Sequence, residues 1–118
     1  PRKEVKRGIP VILHAHGDNF DSWKDLLHTA SKNSFPPRLV LTHQTPGEID
    51  GMYNPGGFTD GDRAICFLLA LGVPIEKISL LGTRTDIVGK WSGVTKPAEK
   101  IIKLEWMAKV LDIIGIEY

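Results

Sequence analysis

Three short apolar runs constrain this chain more than any other feature. Residues 9–14 (IPVILH), 38–42 (RLVLT) and 78–81 (ISLL) are rich in branched aliphatic side chains and hardly alternate with polar ones. A strand with one wet face alternates; a nearly continuous apolar run fits a strand buried on both faces, as in a parallel sheet. Each run leads through a polar loop into helical periodicity. Residues 20–31 (FDSWKDLLHTAS) place Phe20, Trp23, Leu26, Leu27 and Ala30 at helical spacing, with Asn19 or Asp21 as the cap. Pro36 and Pro37 forbid its continuation. A second helix is predicted from about 61 to 71, with Gly72 just past its end. A third, 98–114, carries Ile101, Leu104, Trp106, Met107, Val110, Leu111 and Ile114 on a wide apolar face and stops at Gly115. Strand and helix alternating three times predict an α/β fold in three layers, a mostly parallel sheet with helices on both faces.

The 118 residues are enough for one domain. Residues 1–8, with Arg2, Lys3, Lys6 and Arg7, read as a solvated basic lead-in, and 9–118 as a single α/β domain. The chain does not begin with Met and starts in a charged segment just before a strand, so it is expected to be a fragment of a longer protein. A formal net charge of +1 makes no case for nucleic acid or a membrane surface as partner. No apolar run is long enough to span a bilayer. The single cysteine, Cys66, excludes an internal disulfide framework and suits a reducing, cytoplasmic setting. Within AICFLL it reads as a buried, inert thiol.

Right-handed crossovers would bring the strand-to-helix loops 15–19, 43–58 and 82–97 to one edge, where open α/β sheets bind ligands. Those loops hold nearly all the unusual polar chemistry. The second is the richest: Asn54-Pro55-Gly56-Gly57-Phe58-Thr59-Asp60-Gly61-Asp62-Arg63-Ala64, with Gln44 and Thr45 upstream. Glycines admit close backbone approach, and Thr59 reads as a helix N-cap. A helix N-terminus attracts anions, while Asp60 and Asp62 are hard oxygen ligands suited to magnesium. A capped surface turn would also favour these residue types. Arg63 and Lys90 could hold phosphate oxygens, or Arg63 could pair with a nearby carboxylate.

The first loop offers His14, His16, Gly17, Asp18 and Asn19. Two histidines two apart at a strand end share a side, so zinc on His14, His16 and Asp18 is one option. Magnesium on Asp18 with histidines facing substrate is another, and a plain turn with His14 satisfied at the strand end a third. His28 reads as a surface residue, and His43 as a residue that could line the site. The third loop offers Asp86, Lys90 and Ser92 as ligand contacts and Trp91 as a stacking ring, with an ordinary exposed loop as the alternative. Lys96, Lys100 and Lys103 read as solvated lysines. Neither a Walker A sequence nor GxGxxG occurs.

His14-Ala15-His16-Gly17-Asp18-Asn19, then Gly56 through Ala64, then Leu81-Gly82 through Gly89-Lys90, resemble the archaeal-type 6-hydroxymethyl-7,8-dihydropterin diphosphokinase family, a Rossmann-like group of longer proteins. The likeness runs over most of the chain, and its most specific part is the second block. Gly17 to Ser22 and Thr59-Asp60 are more distantly similar to motifs of thiamin diphosphokinases. Where the family commonly has Gly-Met-Asp, this chain has Gly82-Thr83-Arg84. The resemblance implies transfer of diphosphate from ATP to the hydroxymethyl group of a reduced pterin, with AMP released. It implies catalytic roles for His14, His16, Asp18 and Asp60, and Mg2+ on Asp18, Asp60 and Asp62. Gly17, Asn19, Gln44, Asn54, Gly56, Gly57, Thr59, Arg63 and Lys90 would hold ATP. The partners implied are ATP and a reduced pterin. A thiamin-type acceptor, or a non-catalytic domain binding nucleotides or phospho-ligands, is the alternative. Homo-oligomers are a further expectation, through apolar surface that a missing half would expose.

Overall fold

The computed structural model describes residue 7 and residues 9–15, 19–89 and 96–118. It divides into two compact units, Pro1–Asn54 and Pro55–Tyr118.

The first unit is a β–α–β element. Strand β1 (Val11–His14) runs parallel to β2 (Leu39–Thr42), in the register Val11 to Leu39, Ile12 to Val40, Leu13 to Leu41 and His14 to Thr42. Helix α1 (Phe20–Ser31) connects them. Its Leu26 and Ala30 are buried against Val11, Leu13 and Leu39, which is why the helical spacing of these residues matters. Ile12 and Val40, neighbours in register, are exposed. Asn19 occupies the N-cap position of α1 but makes no capping bond; its amide donates to the His14 carbonyl at 2.9 Å. Beyond β2, the backbone returns to pair Tyr53 in a single parallel bridge with Thr42.

The second unit is helical. Helix α2 (Asp60–Ala70) ends in a Schellman turn: Gly72, at φ +80°, donates to the Leu69 carbonyl and Val73 to that of Leu68. A short 3₁₀ turn (Ile75–Lys77) follows, and helix α3 (Pro97–Ile114) closes the chain. Pro97 sits in the first turn of α3, where its missing N–H costs nothing, and Gly115 ends the helix at φ +78°. Ile65, Leu104, Met107, Leu111 and Ile116 form the core, with Leu69, Ile78, Leu80 and Val88 packed against it.

The helices and first two strands lie where the sequence puts them, to within two residues. Residues 78–81 do not form the expected third strand. Ile78 and Leu80 pack on the core, and Leu81 is 93% exposed. A strand exists only through a ladder partner, and among the described residues this segment has none. The described sheet is therefore two-stranded and parallel, with three α-helices among the described residues, and not the three-layer sheet expected.

Candidate active site

The glycine-rich segment is held by its own helix start. Thr59 is extended (φ −127°, ψ 172°) and forms a capping box with Asp62. The Asp62 carboxylate accepts from the Phe58 N–H at 2.7 Å, the Thr59 N–H at 2.7 Å and the Thr59 hydroxyl at 2.6 Å. Asp62 has no exposed surface. Beside it, Arg63 is 4% exposed and donates from Nη2 to the Gly57 carbonyl at 2.9 Å. Gly57 is at φ +87°, and a Cβ there would meet the Arg63 backbone at 2.7 Å, so both conformation and space demand glycine. Gly61 similarly approaches Met107, whose Cε a Cβ would meet at 3.1 Å. Phe58 stacks on Trp106 of α3 at 5.3 Å between centroids, and Lys109 Nζ lies 4.2 Å from the centre of the Trp106 ring.

These contacts give two of the expected ligand residues structural work. Asp62 caps α2, with both oxygens bonded to its own turn and no face toward solvent. Arg63 braces the loop through Gly57. Burial lowers the Arg63 guanidinium from its ordinary value, opposed by the carboxylates of Asp62 and Asp60. Burial, reinforced by Asp62, pushes the Cys66 thiol up, in keeping with an inert sulfur.

Asp60 stands differently: it is the first residue of α2 and is exposed. With Thr59 and Gly61 it lines a cavity of about 340 Å³, closed by Thr83 and Arg84 of the following loop and by Lys100, Leu104 and Met107 of α3. Arg84 is held by Asp86 through two hydrogen bonds of 2.8 and 2.7 Å. That bond keeps the Asp86 carboxyl below its usual range. A helix start, a hydroxyl, two cations and one exposed carboxylate can together receive a phosphorylated ligand and one hard metal ion. Arg84 and Lys100 are the residues the sequence reading missed; Lys100 was expected to be solvated and is half-buried. The signal for it was its place in the first turn of an apolar helix.

In the first unit, the His14 ring bonds through Nδ1 to the Thr42 hydroxyl at 3.1 Å, as a residue satisfied at a strand end would. His43 is 3% exposed, with Nδ1 at 2.9 Å from the Thr45 hydroxyl and accepting from the Thr45 N–H at 3.3 Å. Asn54 donates to the Thr45 carbonyl at 3.0 Å and so closes the loop between them, while Gln44 is exposed. His28 is exposed, as expected. Gly56, at φ +92°, is exposed with open space around it. His16, Gly17, Asp18 and Lys90 lie outside the described residues, as do Trp91 and Ser92. Among the described residues no three His, Cys, Asp or Glu side chains gather as a metal site, and no helix is long and apolar enough to cross a membrane.

In class, then, this is an α/β chain whose helix-start cavity suits a phosphorylated ligand. The chain is 40% identical over 90 residues to the 6-hydroxymethyl-7,8-dihydropterin pyrophosphokinase of Pyrococcus furiosus, a match covering 75% of the chain and 35% of that protein. It is 30% identical over 115 residues to the protein of the same name from Methanothermobacter thermautotrophicus, covering 91% of the chain and 46% of that protein. A third, from Methanocaldococcus jannaschii, is 33% identical over 84 residues. No family model and no solved structure matches the chain. The chain is thus related to the archaeal 6-hydroxymethyl-7,8-dihydropterin pyrophosphokinases, bearing out the resemblance read from its motifs, and its matches span less than half the length of these relatives.

Proposed function

We propose that this chain is part of an enzyme that transfers diphosphate from ATP to the hydroxymethyl group of 6-hydroxymethyl-7,8-dihydropterin. What carries the reading is the similarity to three proteins of that name. The cavity at the start of α2 supports its phosphate half. The acceptor hydroxyl attacks the β-phosphorus in line, the bond to the α-phosphate oxygen breaks, and AMP leaves with that electron pair. The hydroxyl proton passes to a base, for which His14 and His16 are the proposed residues; the Thr42 hydroxyl would orient the His14 ring.

Phosphoryl chemistry asks the protein mainly for positioning and neutralised charge. Lys100 and Arg84 supply positive charge beside the first turn of α2. Magnesium is commonly bound by one or two carboxylates together with substrate phosphates, and Asp60, exposed in the cavity, fits that pattern; Asp18 is a further proposed ligand. When bound, the ion supplies charge neutralisation on the phosphates. Gly17, Asn19, Gln44, Gly56 and Lys90 remain proposed contacts for ATP. In the full-length protein the sheet is proposed to grow to the three-layer Rossmann-like arrangement, in a cytoplasmic enzyme with no nucleic-acid or membrane partner.

The test is AMP release by the full-length protein with Mg2+, ATP and the reduced pterin. AMP formation that requires both pterin and Mg2+ is expected. AMP formation with thiamin, and none with the pterin, would replace the acceptor; no AMP with any alcohol would leave a nucleotide-binding domain.

A further inference from the structure

We propose that loop 43–54 binds the uncharged ring of the acceptor, a flat heterocycle of the 2-amino-4-oxo type, through a carboxylate of Glu48 or Asp50. The inference rests on the reading of the reaction above and names the subsite for its second substrate.

The loop is a built structure. Tyr53 donates to the Leu41 carbonyl at 2.8 Å, and His43 donates to the Tyr53 carbonyl at 3.1 Å, so both ends are tied to the carboxyl end of β2. Met52 donates to the Ile49 carbonyl at 3.0 Å, and Asn54 to that of Thr45 at the same distance. Compact loops closed in this way are frequently functional, and the carboxyl ends of parallel strands are where α/β sheets bind ligands. The loop lines an open cavity of about 690 Å³, within the usual range for small-molecule sites.

Its chemistry selects the occupant. Ile49, Met52 and Tyr53 offer apolar, sulfur and aromatic surface for a flat ring. Glu48 and Asp50 are the charged residues of the lining, which holds no lysine or arginine. Two carboxylates repel a triphosphate, so this cavity is unsuited to ATP. They suit a ligand that presents adjacent N–H donors. A ring N–H beside an exocyclic amine offers two parallel donors to the two oxygens of one carboxylate, the same fork geometry that arginine uses. The cavity beside α2, with Arg84 and Lys100, has the opposite preference. The two substrates of the proposed reaction differ in the same sense, one polyanionic and one neutral and rich in donors.

The experiment titrates the full-length protein with the fluorescent ring 6-hydroxymethylpterin, and separately with α,β-methylene-ATP, which cannot donate diphosphate. Glu48→Gln, Asp50→Asn and the double variant are compared with wild type. Both side chains are exposed, so these changes leave the fold intact. The double variant and one of the single variants are expected to bind the pterin at least about tenfold more weakly, as loss of hydrogen bonds to a charged acceptor implies. Their affinity for the ATP analogue should stay within about twofold, as a contact made to the pterin ring alone requires. A double variant that binds pterin like a turnover-competent wild type overturns this inference alone. A wild type that neither binds nor turns over pterin overturns the acceptor reading with it.

Discussion

Replacing Asp62 by alanine separates the capping role from a metal role. The carboxylate is fully buried and accepts three hydrogen bonds, two from backbone N–H groups and one from a hydroxyl. Alanine leaves all three donors without that acceptor. The Thr59 hydroxyl can turn toward Met107 Sδ, already 3.3 Å away, but the Phe58 and Thr59 N–H groups cannot turn. Each stranded donor costs about 1–3 kcal/mol, and partial entry of water into the vacated space lowers the total, so a loss of about 3 kcal/mol is expected. That is a large share of a stability of about 5–15 kcal/mol. With a urea dependence of about 2 kcal/mol per molar, the unfolding midpoint should fall by about 1.5 M. Urea unfolding followed by circular dichroism measures it. Asp60→Ala is the control: Asp60 is exposed, and losing its charge at the helix start should cost about 0.3–1 kcal/mol. A midpoint for Asp62→Ala within about 0.3 M of wild type would refute the cap. Unchanged stability with lost Mg2+ affinity would return Asp62 to the metal.

Gly57→Ala should destabilise by about 2–4 kcal/mol, from a positive φ plus the collision with the Arg63 backbone, whereas Gly56→Ala, with a similar φ and open space, should cost about 1 kcal/mol; thermal unfolding of both tests the difference. Asp60→Asn in the full-length protein should lower AMP formation roughly a hundredfold with little change in melting temperature, and wild-type turnover by this variant would remove Asp60 from the metal site. Lys100→Met should raise the KM for ATP by about tenfold, read from initial rates, and an unchanged KM would detach this lysine from phosphate binding. Cys66, its thiol raised by burial, should react with iodoacetamide at pH 8 more slowly than a free thiol. Because the unfolded thiol ionises first, its contribution to stability is present below the unfolded value and fades as pH rises through the folded one. Rapid alkylation at pH 8 without denaturant would show the sulfur to be open.

The parts of the fold legible in the sequence are those whose cause is local. Helix 20–31 follows from the spacing of Leu26 and Ala30, and the end of α2 from Gly72. Residues 78–81 show the limit. Their side chains suit a strand and two of them are packed, but ladder pairing is decided by other segments. The site divides the same way. Thr59 was readable as a cap from its place before an apolar run. The true partner was also within reach, because a threonine followed three residues later by an acid is itself the capping-box spacing, and it competes with the metal reading of Asp62. Lys100 carried one signal, its place in the first turn of an apolar helix, and Arg84 none; what brings them to Asp60 is the packing of Leu104 and Met107, 45 and 48 residues along the chain from Thr59.

The bridge between Thr42 and Tyr53 has a consequence for how the sheet can grow. Thr42 already pairs with His14 on one side, so Tyr53 must lie on the other, across the outer margin of β2. A loop residue thus occupies backbone donors and acceptors that an incoming chain would need at the carboxyl end of that strand. Unpaired margins recruit strands from any source, and the carboxyl end of this one is covered by its own loop. Any strand joining the described pair along its full length therefore has to add beside β1, and the order of a larger sheet would be set by a single tyrosine.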